Sequence, residues 1–265
     1  MRRTLLPLTF AGLLTVTAAQ CQLVDEYNPP RSNCCLPNSA KALADQLQDW
    51  DQIGRYHAAN VELEKQPADP KRVVFMGDSI TDGWRLAEYF PDKPYVNRGI
   101  SGQTTPQMVV RMYPDVVDLK PAAVVILAGV NDIAHNTGAE TAEMIEDNFM
   151  AMTDIAQRNG IKVVLCSVMP VSDYPFLAQQ PAPGGRGMRT RMTEQHPPSD
   201  ILKLNAWMKA YAAKVGAVYA DYFSAMVDDK GWLRDGISAD GLHPTADGYK
   251  LMVPVVDAAL QKALP

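Results

Sequence analysis

Five short apolar runs divide the central part of the chain, and amphipathic segments separate most of them. Three runs, at 73–76, 95–97 and 123–128, are followed by glycine within two residues, and two more lie at 162–168 and 217–222. Continuous runs rich in β-branched residues are typical of strands buried on both faces of a parallel sheet. The pattern predicts a parallel α/β sandwich.

Helices are predicted between these runs, at 105–118, 140–159 and 199–215, and a last helix is predicted to start near Pro244. The connection 171–199 departs from this alternation because it holds five prolines and three glycines. Two interpretations are open for a segment of this length and composition. It is either the border or lid of a binding site or a disordered surface loop.

A different pattern precedes the first apolar run. Residues 22–37 show no apolar period and contain three prolines, which indicates an irregular arm. A helix with one apolar face is then predicted from residue 38 or 39 up to the prolines at 67 and 70. The apolar face comprises Leu43, Leu47, Trp50, Gly54, His57 and Val61. On this face His57 is interpreted as a packed side chain rather than a catalytic one.

The first twenty residues have the layout of a secretory signal peptide, with Arg2 and Arg3 before an apolar stretch over 5–16. That stretch is shorter than the roughly 20 residues of a membrane-spanning helix, so no stable membrane anchor is expected. A twin-arginine signal and lipidation of Cys21 are minor alternatives. We therefore expect export to the periplasm or the cell exterior. The predicted organisation is a signal peptide at 1–20, an arm and helix packed on the domain at 21–70, and one main domain at 71–265.

Net charge limits the possible binding partners, and the cysteines limit the possible disulfides and metal sites. The formal charge is −5, and it becomes about −7 when the two arginines of the signal are removed. This excess of negative charge argues against nucleic acid and anionic membranes as partners.

An exported protein can pair Cys21 with Cys34 or Cys35, whereas Cys166 is interpreted as a core residue. The chain has no C-x-x-C pair and no H-E-x-x-H motif, so no zinc site is expected.

Candidate chemistry follows the ends of the predicted strands, where open parallel sheets bind ligands. Ser79 lies in a Gly-Asp-Ser turn after the first run, and a tight strand-to-helix turn exposes a serine hydroxyl. Gly102 and Asn131 follow the next two runs, and both residue types can present an N–H donor to an oxyanion. Asp240 and His243 place an acid and a base just before a helix, whose positive end favours a neutral imidazole. Each feature alone is also typical of an ordinary turn.

Together, these blocks resemble the GDSL family, also called SGNH hydrolases. They occur in the family's order, between residues 72 and 262, and only Ile80 departs from the family name, which has leucine there. The matching blocks are Gly77-Asp78-Ser79, Gly102, Gly129-x-Asn131-Asp132 and Asp240-x-x-His243.

The resemblance implies a flavodoxin-like three-layer α/β/α fold, with a five-stranded parallel sheet of order 2-1-3-4-5. It implies Ser79 as the nucleophile, His243 as the general base and then acid, and Asp240 as the residue that orients the imidazole. The implied oxyanion donors are the backbone N–H groups of Ser79 and Gly102 and the side-chain amide of Asn131. This chemistry requires no metal and no organic cofactor.

The resemblance does not identify the acyl group that the enzyme removes. We expect a secreted serine carboxylic-ester hydrolase that removes a small acyl group, such as acetyl from a polysaccharide, through an acyl-enzyme. Its partner is then a small-molecule or carbohydrate ester. The alternatives are a lysophospholipase or thioesterase, a sugar O-acyltransferase, and a non-catalytic carbohydrate-binding protein. Trp84, Tyr174 and Phe176 fit either the wall of an acyl or alcohol pocket or ordinary packing.

Two histidines and three arginines are weaker candidates. His135 and His196 are in positions to border a substrate, but a solvated loop histidine is the favoured interpretation of both. Arg186, Arg189 and Arg191 are more typical of a solvated face than of a site for an acidic substrate.

Overall fold

Five parallel strands form the centre of the computed structural model, which describes residue 44 and residues 47–178 and 190–264. The order along the sheet is β2-β1-β3-β4-β5, and each neighbouring pair is parallel. The predicted fold class and strand order are therefore confirmed. The strands are β1 (Val73–Gly77), β2 (Tyr95–Gly99), β3 (Ala123–Leu127), β4 (Lys162–Cys166) and β5 (Val218–Ala220).

Helices flank the sheet, and the predicted crossover helices are present with small shifts at their ends. A π-helical turn, Tyr113–Val117, continues the helix that follows β2. The helices of the described residues are α1 (Gly54–Glu64), α2 (Ser79–Asp82), α3 (Leu86–Tyr89), α4 (Thr105–Met112), α5 (Val130–Ile133), α6 (Ala142–Arg158), α7 (Tyr174–Ala178), α8 (Met192–Gln195), α9 (Pro198–Val215), α10 (Tyr222–Met226) and α11 (Ala246–Ala263).

The two central strands are covered on both faces. Every residue of β1 and of β3 is buried, which explains why their sequences are continuous apolar runs rather than alternating ones. The pairing register places Gly77 opposite both Gly99 and Leu127. The carboxyl ends of β1, β2 and β3 are therefore level, and the loops that follow them begin at one edge of the sheet.

The predicted apolar face of the N-terminal helix is wrong. Leu47 is 86% exposed, Trp50 and Val61 are also exposed, and His57 is an exposed residue rather than a packed one. The buried residue of α1 is Asn60. A turn over 49–53, with Gln52 at a φ of 57°, precedes α1 and interrupts the predicted long helix.

A buried polar network explains why the apolar period gave the wrong face. Asn60 accepts hydrogen bonds from the Arg98 guanidinium and donates to Asp115 at 2.6 Å, and Asp115 also pairs with the buried Arg111. Hydrogen bonds and charge pairing thus satisfy the inner face of α1. A helix that packs through polar groups does not show its buried face as an apolar stripe.

Several predictions fall on residues that the structure does not describe. They are the signal peptide, the arm with Cys21, Cys34 and Cys35, and the arginines at 186 and 189. Cys166 is a buried free thiol, and burial raises the pKa of this thiol to about 12, as expected for a core residue. Within the described ranges, no helix is both long enough and apolar enough to span a membrane.

Candidate active site

The first loop of the site turns directly from β1 into α2. A Cβ at Gly77 would lie 2.2 Å from Thr81 Oγ1 and 2.6 Å from the Leu127 carbonyl oxygen, so only glycine fits at this position. Asp78 then caps α2 by accepting a hydrogen bond from the backbone N–H of Ile80 at 3.0 Å. The turn therefore presents Ser79 as the first residue of the helix, at the end of a central strand.

The structure brings Ser79, His243 and Asp240 into one hydrogen-bonded row. Ser79 Oγ lies 2.9 Å from His243 Nε2, and His243 Nδ1 lies 2.6 Å from Asp240 Oδ2. A carboxylate accepts from a protonated ring nitrogen, so the proton of the neutral imidazole belongs on Nδ1. Nε2 is then the acceptor for the Ser79 hydroxyl.

Local hydrogen bonds fix the carboxylate of Asp240. Its Oδ1 accepts from the backbone N–H groups of Leu242 at 2.9 Å and His243 at 2.8 Å, and from Ser238 Oγ at 3.1 Å. Oδ2 is thereby left for the imidazole. Burial alone would raise the pKa of Asp240, but the hydrogen bonds from His243 and Leu242 outweigh it and hold that pKa well below its usual range.

The hydrogen bond to Asp240 also raises the pKa of His243 above its ordinary value, because the effect of this bond exceeds the opposing effect of burial. Two other aspartates of the sequence have different partners. Asp228 accepts from the Tyr174 hydroxyl, and Asp235 accepts from the backbone N–H of Gly236 at 2.9 Å. The structure thus pairs the imidazole with Asp240.

Two donors lie at the ends of β2 and β3. The Asn131 side chain is buried, and its Nδ2 donates one hydrogen to the Gln103 carbonyl at 2.9 Å, while its Oδ1 accepts from Asn136 Nδ2 at 2.9 Å. Gly102 is exposed, with a φ of 82°, in a turn closed by the Gln103 N–H donating to Ile100. Among the described residues, neither the second Nδ2 hydrogen of Asn131 nor the N–H of Gly102 meets an acceptor. Both N–H groups are therefore available to a hydrogen-bond acceptor.

Two buried carboxyl groups lie beside these residues. Burial raises the pKa of Asp78 to about 7, and burial also raises the pKa of Asp132. Asp132 accepts hydrogen bonds from the backbone N–H of Thr105, at 2.8 Å, and from the Thr105 hydroxyl. It thereby ties the start of α4 to α5, which presents Asn131.

The weaker candidates have different outcomes. His135 is exposed on its loop, as predicted. His196 is 4% exposed, so its interpretation as a solvated loop histidine is wrong. Its Nδ1 lies 3.2 Å from the Met192 carbonyl, and that helical contact places the ring inside the fold. The sequence pattern gave no sign of this contact because 192–195 form only one short helical turn.

The three aromatic candidates are separated by the fold. Trp84 is 2% exposed and stacks on Tyr249 with ring centroids 5.5 Å apart, so it is a core residue rather than part of a pocket wall. Tyr174 contacts the edge of Trp232 at 5.2 Å. Phe176 lies under the Arg191 guanidinium at 5.4 Å. Tyr174 and Phe176 are partly exposed.

A family profile and several known proteins match this chain. A sequence profile of the GDSL-like Lipase/Acylhydrolase family matches residues 75–251, which is most of the chain. The chain belongs to this family. This GDSL-like protein is therefore a hydrolase of ester bonds. Within the part of the chain that the structure describes, it has no group of three His, Cys, Asp or Glu residues arranged to hold a metal ion.

Three of the proteins similar to this chain are an acylhydrolase and two esterases by name. A putative acylhydrolase from Bacteroides fragilis is 38% identical, with a TM-score of 0.72 over 82% of this chain and 99% of that one. Esterase TesA from Pseudomonas aeruginosa is 27% identical over 69% of this chain and 84% of its own. An acetylxylan esterase from Xylanibacter ruminicola is 27% identical over 73% of this chain and 44% of its own. The chain spans about half the length of two of the curated relatives it matches.

Proposed function

We propose that this GDSL-like hydrolase is a serine esterase in which Ser79, His243 and Asp240 form the catalytic triad. The supporting observation is the continuous row from Ser79 Oγ to His243 Nε2 at 2.9 Å and from His243 Nδ1 to Asp240 Oδ2 at 2.6 Å. Both distances are those of hydrogen bonds, as proton transfer between nucleophile and base requires.

In the proposed acylation step, Ser79 Oγ attacks the ester carbonyl carbon and its proton moves to His243 Nε2. The carbonyl π electrons move onto oxygen, and the resulting oxyanion accepts hydrogen bonds from the N–H groups of Ser79 and Gly102 and from Asn131 Nδ2. Collapse of this intermediate breaks the bond to the alcohol, which leaves with the proton from Nε2. Asp240 stabilises the imidazolium while it exists.

In the proposed deacylation step, water attacks the acyl-Ser79 ester and gives a proton to His243 Nε2. The second tetrahedral intermediate collapses, Ser79 leaves with that proton, and the carboxylic acid is released. Every proton in this cycle moves through one nitrogen. The side chains of Ser79 and His243 therefore provide the nucleophile and the base. Two backbone N–H groups and the Asn131 amide provide the proposed oxyanion donors.

The proposed substrate is an ester of a small acyl group, with acetyl on a polysaccharide as the leading case. Support comes from the relative named as an acetylxylan esterase. We also propose that the enzyme acts outside the cytoplasm, on the basis of the apolar stretch at 5–16 behind two arginines. Fractionation of cells that express the full chain tests this second part of the proposal.

Two experiments test the chemistry. A fluorophosphonate probe is expected to label Ser79, and Ser79→Ala is expected to remove both the labelling and nearly all turnover while leaving the melting temperature close to that of the wild type. A folded, unlabelled wild-type protein would contradict the proposed triad. In a series of nitrophenyl esters, kcat/KM is expected to fall steeply beyond acetate. A preference for octanoate would instead support a lipid or thioester substrate, and acyl transfer to added sugars in place of hydrolysis would support an acyltransferase.

A further inference from the structure

A segment that precedes the family match contacts the loop that presents Gly102, one of the proposed oxyanion donors. The family profile begins at residue 75, whereas this segment comprises residues 50–56, at the start of α1 and in the turn before it. Its hydrogen bonds reach the backbone or side chains of this loop and of the two residues that flank it, Gly99 at the end of β2 and Gln107 in α4. We call residues 50–56 the brace.

The brace contacts this loop on both sides of Gly102. Before Gly102, the Tyr56 hydroxyl donates to the Gly99 carbonyl. After it, Gln103 Nε2 donates to the Asp51 carbonyl at 2.8 Å. Further along, Gln107 Nε2 donates to the Trp50 carbonyl at 2.6 Å. Contacts on both sides limit how far the exposed Gly102 turn can move.

Gln103 connects the brace to both oxyanion donors at once. Its side chain is fully buried and is held by Asp51, whereas its backbone carbonyl accepts from Asn131 Nδ2 at 2.9 Å. The N–H of Gly102 lies one residue away along the same backbone. A shift of Gln103 therefore displaces the Gly102 donor and the Asn131 donor together.

We propose that Gln103, held by the brace through the Asp51 carbonyl, is a positioning residue that sets the oxyanion donors Gly102 and Asn131 in this enzyme. The inference rests on the proposed function, because it assigns a role to those donors. Gln103 does not contact the reacting atoms in this proposal. It acts on the rate by fixing where two donors point, and donors act only if they are aimed at the position that the oxyanion will occupy.

Gln103→Met is a suitable test because it removes the contact without a large penalty in folding. Methionine has a side chain of similar volume to glutamine. The substitution loses one hydrogen bond, but it also removes Gln103 Oε1, which is a buried acceptor without a partner among the described residues. Gln157→Met is the matched control. Gln157 Nε2 likewise donates to a backbone carbonyl, that of Val215, at 2.9 Å, but from the exposed surface of α6.

The expected result is a fall in kcat of about 10- to 100-fold for Gln103→Met, with KM within about twofold of the wild type. Misplaced donors stabilise the transition state less, but they leave substrate binding in the ground state unchanged. The rate of fluorophosphonate labelling is expected to fall by a similar factor. The final labelled fraction is expected to stay complete, which a partly unfolded variant would not show. Gln157→Met is expected to match the wild type in all three measurements.

A Gln103→Met rate within about twofold of the Gln157→Met rate would overturn the positioning role and leave the proposed triad intact. If wild-type Ser79 is not labelled at all, the proposed function fails, and the positioning role fails with it. If Gln103→Met does not fold, Tyr56→Phe provides the test, since it removes the hydroxyl bonded to Gly99 but keeps the ring that lies 4.7 Å from the Arg98 guanidinium. A several-fold fall in kcat at unchanged KM supports the proposal, and an unchanged kcat overturns it.

Discussion

The backbones of Ser172 and Gly241 are in direct contact. The N–H of Ser172 donates to the Gly241 carbonyl at 2.8 Å, and a Cβ on Gly241 would lie 2.0 Å from the Ser172 carbonyl oxygen. Gly241 also has a φ of 87°. Because it lies between Asp240 and His243, this contact fixes the position of the loop that holds the acid and the base.

The first prediction compares two glycines of that loop. Gly241→Ala is expected to cost roughly 3–5 kcal/mol of unfolding free energy, from backbone strain and steric overlap together, and to lower kcat by displacing His243. Gly236→Ala is the control, because Gly236 has a φ of 80° but open space around its Cβ position. Its cost is expected to be about 1–2 kcal/mol. Urea unfolding measures both, and equal costs would contradict the role of the contact with Ser172.

The second prediction concerns Asn131. Asn131→Ala is expected to lower kcat by about 10²–10³-fold, because it removes one oxyanion donor. Asn131→Asp keeps the size of the side chain but replaces the donor by a carboxylate oxygen, so its loss is expected to be at least as large. Steady-state kinetics on a nitrophenyl ester measures both. Near wild-type turnover in Asn131→Asp would show that this amide does not meet the oxyanion.

The third prediction concerns the pH dependence of activity. His243 accepts a proton only when it is neutral, so kcat/KM is expected to rise with pH through the pKa of His243. The bond to Asp240 raises this pKa, so the midpoint is expected above the ordinary value of about 6.5. Asp240→Asn removes the negative charge, and the midpoint is expected to move to lower pH while the plateau falls about 10³–10⁴-fold. A midpoint that does not move would contradict the pairing.

The fourth prediction concerns stability and the buried Asp78. Its pKa is raised to about 7 in the folded protein, whereas an unfolded aspartate has a pKa of about 3.9. Between these values the folded state binds more protons than the unfolded state, so this group makes the protein less stable as pH rises from about 4 to 7. Asp78→Asn is expected to reduce the loss of unfolding free energy as pH rises over this range. Urea unfolding at pH 5 and pH 7.5 measures it, and an identical pH slope in wild type and variant would contradict the raised pKa.

The sequence predicted the sheet well because strands buried on both faces are continuous apolar runs, as in β1 and β3. It also placed Ser79, Gly102 and Asn131 after strands whose ends prove to be level, and each residue lies within four residues of such a strand end. The exposed Leu47 and the buried Asn60 were not predictable from periodicity. Their positions depend on a polar network with partners far along the chain, among them Arg98 and Asp115.

Two further contacts were not visible in the sequence, one of them long-range and the other local. The hydrogen bond from Gln103 to Asp51 joins residues 52 positions apart, and neither residue belongs to a recognisable motif. His196 is buried through a single helical turn inside a segment rich in proline. The partner of Gln103 is far along the chain. The partner of His196 is only four residues away, but the surrounding segment has no periodic pattern from which a helical turn could be predicted.

Asp240 and His243 are three residues apart on one loop, whereas Ser79 is 164 residues from His243 along the chain. The distance between acid and base is therefore set locally, by the conformation of a few peptide units. The distance between base and nucleophile depends instead on the packing of the whole domain. A mutation far from the site that loosens this packing would lengthen the second distance and leave the first unchanged. Such a mutation should therefore slow the attack by Ser79, while the pKa of His243 stays raised by its bond to Asp240.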